Sequence, residues 1–146
     1  MEGEGLKTFT ENDQLSESKI AALAGSYQGV PSVIEKALEL YEVKSFVELV
    51  VGDACKTVPE FFANHPEMLV SFAYFDFDLY QPTITALEAL RPSMTTGGLI
   101  VFDQANYAVW AGEGQALKEF FHNHPGDYAY ESIPYTHQPT AALRRL

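Results

Sequence analysis

The chain has 146 residues, a length that fits one domain able to bury its own core. Hydrophobic residues make up 47% and aromatics 13%, which argues against global disorder. Twenty acidic residues against nine basic ones give a formal charge of −11, which repels phosphate backbones and anionic lipid and so speaks against nucleic acid and membrane surfaces as partners.

Residues 1–19 are polar and acidic, without periodicity, and read as an acidic arm or lid, or as a plain solvated tail; the domain proper is expected over 20–146. Ser16-Glu-Ser-Lys19 can open a short helix through Leu23 that stops at Gly25. Pro31 to Tyr41 carries apolar residues at Val33, Ile34, Ala37, Leu38 and Tyr41, a spacing that predicts an amphipathic helix with proline at its front. Ser45-Phe-Val-Glu-Leu-Val-Val51 is rich in strand formers and stops at Gly52-Asp53, so a strand is expected there. Residues 55–64 return to a helical pattern. The nearly continuous apolar run from Leu69 to Phe75 suits a buried parallel strand. Thr83 to Leu90 reads as helix, Gly97-Gly98 leads into a second buried strand over Leu99–Phe102, and Gly114 to His122 reads as another helix. Tyr128–Tyr135 and Thr140–Leu146 are strand-like, with Pro134 and Pro139 between them, and are expected to pair as an antiparallel hairpin. Strand and helix alternate three times, which predicts parallel strands joined by right-handed crossovers in a three-layer α/β sheet.

The single cysteine, Cys55, rules out an intrachain disulfide and a zinc site of several thiolates, and reads as a buried, inert thiol. Met1–Gln14 has neither a basic start nor an apolar core, and no apolar run approaches the ~20 residues needed to span a bilayer, so a soluble, cytoplasmic protein is expected.

Two of the apolar strands end in acid, at Phe75-Asp76-Phe77-Asp78 and at Phe102-Asp103-Gln104. Ligands of open α/β sheets sit outside the carboxyl ends of the strands. Neighbouring strands lie roughly 5 Å apart, so if these two are neighbours Asp76 and Asp103 converge on one rim. Adjacent carboxylates repel unless a cation lies between them or one takes up a proton. Hard oxygens of this kind suit Mg²⁺ or Ca²⁺, and Gln104 can add a carbonyl oxygen. The competing reading makes each acid an ordinary helix cap.

Four stretches in order, Phe72-Ala-Tyr-Phe-Asp-Phe-Asp-Leu-Tyr-Gln-Pro-Thr83, Ala86-Leu-Glu-Ala-Leu-Arg-Pro92, Gly97-Gly-Leu-Ile-Val-Phe-Asp103 and Trp110-Ala-Gly-Glu-Gly-Gln-Ala116, resemble the macrocin O-methyltransferase family. That family belongs to the class I S-adenosylmethionine-dependent methyltransferases, and the resemblance covers about residues 46–125. It implies a Rossmann-like methyltransferase sheet. It implies S-adenosylmethionine as cofactor, Mg²⁺ as assisting metal and a sugar or other small polyhydroxyl acceptor as substrate. Asp76 and Asp103 match the family's metal-binding carboxylates, and Asp76 its general base. Gln104 stands where the family has a second Asp, keeping an oxygen donor but losing a charge. Asp53 matches a position near the cofactor's adenine, or caps the helix that follows. Tyr80 lines the pocket or packs, Trp110 is a mobile aromatic wall of the site or a packed aromatic, and Glu113 reads as a first-turn helix charge. No G-x-G-x-x-G-like sequence follows a strand, so the expected fold is truncated at the front, lacking the two strands that lie between the family's third and fourth. The strand at 46–51 is then expected to dock directly beside that at 69–75, or the open edge to be covered by a second copy or a completing subunit. A catalytically silent module serving oligomerisation or ligand and cation binding is the alternative to an enzyme.

Overall fold

A computed structural model of the protein describes residues 29–106 and 111–146. The expected arm at 1–19, the short helix before Gly25, and Trp110 therefore lie outside the described residues. The first described element is helix α1, Pro31–Leu40, entered from extended Val30 with proline in the first turn. Most of its apolar stripe stays open: Val33, Ile34 and Leu40 are all exposed, Leu40 by 79%. A single turn of 3₁₀ helix follows at Lys44–Phe46.

The next segment departs from expectation. Residues 47–51 leave the 3₁₀ turn in extended conformation at Val47, but among the described residues they pair with no strand, and Val51 is 63% exposed. They do not dock beside the strand at 69–75 either. The β-branched residues favour an extended backbone, but a strand also needs a neighbour to complete its ladder of hydrogen bonds, and local sequence cannot supply one.

Helix α2, Ala54–Asn64, begins at Asp53, whose carboxylate accepts the backbone N–H of Cys55 at 3.0 Å. Strand β1, Val70–Phe75, leads to helix α3, Tyr80–Leu90, which starts three residues earlier than its periodicity indicates. A 3₁₀ turn at Arg91–Ser93 delivers the chain to strand β2, Met94–Phe102. Helix α4, Ala111–Asn123, then leads to strands β3, Tyr128–Ser132, and β4, Ala141–Arg145.

The sheet order is β1-β2-β4-β3. β1 and β2 run parallel, while β4 is antiparallel to both β2 and β3. The parallel pair β1–β2 and the closing antiparallel hairpin both follow the sequence pattern. The core lies on one face of the sheet. There Phe75, Ile100, Phe102 and Leu143 meet Leu87 and Leu90 of α3, Leu117 and Phe120 of α4, and the partly buried Val58 and Phe62 of α2. Burying a side chain of this size stabilises the fold by ~1.5–3 kcal/mol. β1 is more open than β2: Leu69 just before it, and Phe72 and Tyr74, are exposed, Phe72 by 58%. No described helix is long and apolar enough to cross a membrane.

Candidate functional site

β1 and β2 end level with one another. Phe75 is in register with Phe102, and the next residue in each strand is an aspartate. The N–H of Asp103 still donates to the carbonyl of Phe75 at 2.9 Å, so the ladder carries the two acids to one rim before the loops diverge. Asp76 and Asp103 are close enough to interact. Partial burial, and then the charge of Asp103, push the Asp76 carboxyl above the usual range.

Asp103 is 8% exposed, and its Oδ1 accepts the hydroxyl of Tyr74, which reaches over from β1. That hydrogen bond, followed by burial and the charges of Asp103, Asp76 and Glu113, pushes the Tyr74 phenol up to about 12. Asp78 is a third acid at the rim. It takes a left-handed φ of 60°, a conformation non-glycine residues adopt rarely. Burial, then Asp76 and Asp103, push its carboxyl up to about 6. Among the described residues Asp78 Oδ1 and Gln104 Oε1 are buried with no hydrogen-bond partner. Orphaned oxygens of this kind are costly unless something at the site satisfies them.

The donor types are therefore of the right kind for a hard divalent cation: carboxylates at Asp76 and Asp103, and an unpartnered amide oxygen on Gln104, the residue after Asp103. Among the described residues no group of three or more His, Cys, Asp or Glu is assembled tightly enough to hold a metal by itself.

Of the other residues singled out from sequence, Asp53 is the N-cap of α2, with its second carboxylate oxygen 3.8 Å from Lys56 Nζ. Tyr80, the first residue of α3, donates its hydroxyl to Glu119 Oε2 of α4 at 2.7 Å, and its phenol is pushed up to about 12 by that bond and by burial. Neither contact brings its residue to the pair of aspartates.

Two residues at the rim escaped the sequence reading of the site. Tyr74 looks like one more apolar member of a buried strand; only strand alternation hints that it faces away from Phe75. Glu113 looks like an ordinary first-turn acid. It is instead completely buried, accepting the N–H of Gln104 on Oε1 at 2.8 Å and the N–H of Phe77 on Oε2 at 3.2 Å. Burial pushes its carboxyl up to about 7, against the opposing pull of those backbone hydrogen bonds. The flanking glycines, Gly112 and Gly114, are the signal that this acid sits in a close backbone approach.

No protein-family model matches the chain, and no curated protein matches its sequence. Solved structures do. The chain is similar to the crystal structure of CalS11, a calicheamicin methyltransferase, at 27% identity and a TM-score of 0.73, over 97% of this chain and 58% of that one. It is similar also to the apo structure of CalS11, described as a TDP-rhamnose 3′-O-methyltransferase of calicheamicin biosynthesis, at 32% identity and a TM-score of 0.66, over 83% of this chain and 54% of that one. The chain thus spans little more than half the length of the structures it matches. Its architecture is a Rossmann-like methyltransferase fold.

Proposed function

We propose that this chain carries the acceptor-side half of an S-adenosylmethionine-dependent O-methyltransferase of the macrocin type, acting with a divalent metal on a hydroxyl of a sugar or similar small polyhydroxyl acceptor. One observation carries the reading: two aspartates end two adjacent parallel strands in level register, in a fold shared with a sugar O-methyltransferase. Fold likeness by itself does not transfer chemistry, so the weight rests on the rim.

Asp76, Asp103 and the Gln104 amide oxygen are the residues that would hold Mg²⁺, whose positive charge makes a hydroxyl easier to deprotonate. S-adenosylmethionine would supply an electrophilic methyl group on sulfur. The chain's own part is to orient the acceptor and to take its proton. Asp76 is the proton acceptor: it is the more open of the two acids and follows its strand at the rim where an acceptor hydroxyl would meet it. Asp103, pinned by the Tyr74 hydroxyl, has less freedom to turn and serves as the fixed side of the pair. Asp53 stands for the adenine side of the cofactor site on the strength of the sequence resemblance, and its present bond to Cys55 N leaves it ordered for that use.

The open edge of β1 favours a second reading. Among the described residues no strand pairs with the outer edge of β1, and an edge of this kind invites a covering partner, a need that a second copy or a completing subunit fits. In that reading the chain is a catalytically silent module serving oligomerisation or ligand and cation binding.

Isothermal titration with S-adenosylhomocysteine, with and without Mg²⁺, tests the enzyme reading. Binding that strengthens with Mg²⁺, and that Asp76→Asn weakens, is expected. No heat at millimolar ligand under either condition sinks the reading for this chain alone.

A further inference from the structure

We infer that Glu113 is a positioning residue for the rim, a buried brace that ties the backbone after β1 to the backbone after β2 and so sets the spacing of Asp76 and Asp103. The inference rests on the reading of those two acids as the working site.

Glu113 is connected to both sides of the rim. Its two carboxylate oxygens are divided between the loops, Oε2 taking the N–H of Phe77 next to Asp76 and Oε1 the N–H of Gln104 next to Asp103. Its own N–H donates to the carbonyl of Asp78 at 3.2 Å, a third tie to the loop after β1. An acid in the first helical turn commonly reaches back toward the start of its own helix. Here it reaches across to the two loops that follow β1 and β2.

A second observation points the same way. Gly114 lies so close to the loop after β2 that a Cβ built on it would stand 2.1 Å from the carbonyl oxygen of Ala105. Only glycine admits this approach, and the approach brings the Glu113 carboxylate within reach of Gln104. A buried, fully exchanged carboxylate is an expensive way to hold two loops, since burying the ion is disfavoured and each bond returns only part of that cost. Its use here is geometric: a bidentate acceptor fixes two donors relative to one another, and outer-shell ties of this kind orient the groups that touch a ligand.

Amide hydrogen exchange at Phe77 and Gln104, together with Mg²⁺ titration, tests the brace in wild type, Glu113→Gln and Leu117→Ala. Leu117 is buried in the core on the same helix and has no polar side-chain atom to bond the Phe77 or Gln104 amide, so its truncation controls for general loosening. In the wild type both amides should be protected. Glu113→Gln turns an N–H₂ toward one of the two donors, and exchange at that position should rise about tenfold more than elsewhere. Mg²⁺ affinity should fall about 10–100-fold. Leu117→Ala should raise exchange broadly and leave Mg²⁺ affinity near wild type. Unprotected Phe77 and Gln104 amides in the wild type would overturn the inference, whether or not the variant folds. So would a Glu113→Gln protein with unchanged Mg²⁺ affinity, or a Leu117→Ala protein that shows the same selective change. If the wild type takes up no Mg²⁺, the proposed function fails, while the exchange data still decide whether Glu113 holds the loops together.

Discussion

Gly114→Ala offers a sharp opposition of effects. In an ordinary helix this change stabilises, by ~0.5–1 kcal/mol, because alanine gives up less backbone entropy than glycine. At Gly114 the added methyl would lie 2.1 Å from the oxygen and 3.0 Å from the carbon of the Ala105 carbonyl. Carbon and oxygen do not approach that closely, and the obstacle is backbone, so α4 itself must retreat by about an ångström to reach ordinary contact. Overpacking of this kind costs ~1–3 kcal/mol. The retreat also lengthens the Glu113 bonds to Gln104 and Phe77, now 2.8 and 3.2 Å, past useful range. Each buried group so orphaned adds ~1–3 kcal/mol. With the helix gain subtracted, the net loss is about 2–8 kcal/mol, a fall in Tm of roughly 5 °C or more for a chain of this size. Thermal unfolding followed by circular dichroism reads this directly. A Gly114→Ala protein as stable as the wild type, or more so, would show that the close approach of α4 to the loop does not exist in solution and would remove the geometric basis for the brace.

Stability should also fall as pH rises from about 5 to 8. Glu113 and Asp78 have folded values of about 7 and about 6, above those of the unfolded chain, and Asp76 is raised as well. The folded state therefore holds more protons through that window, and the stability they confer is lost as pH climbs past the folded values. Melting curves at the two pH values in high salt, which screens the general repulsion of a −11 chain, should show the lower Tm at pH 8; an equal or higher one contradicts the burial of Glu113. Phe102→Ala, at a fully buried ring that lies 5.4 Å from that of Phe75, should cost ~3–5 kcal/mol in chemical denaturation, and a loss below about 1 kcal/mol would mean the β1–β2 face is not packed as described.

Much of the candidate site can be read along the chain because it is written in local terms. An apolar run that stops at an acid marks a strand tip, and two such tips, at Asp76 and Asp103, point to one rim. The glycine pair at 97–98 was harder to read. It looks like a turn before a strand that starts at Leu99, whereas it lies inside β2, where Gly97 adopts a φ of 81°. The register there slips: Val70 pairs with Met94 and Phe72 already with Leu99, so β2 bulges while β1 runs on. A bulge depends on the partner strand's register, which the residues around it do not encode. Residues 47–51 show the converse, a strand composition that meets no ladder among the described residues.

What the residues determine alone is the kind of each element and the chemistry at its ends, because helix periodicity, strand alternation, capping and chain breaks act over a few neighbours. Tertiary structure decided which strands meet, that β4 rather than another parallel strand lies beside β2, and that Glu113 faces inward across two loops. Among the described residues it also left much of α1 exposed and the outer edge of β1 without a paired strand. Hydrogen-bond partners and burial are properties of pairs distant in sequence, and only the folded chain brings those pairs together.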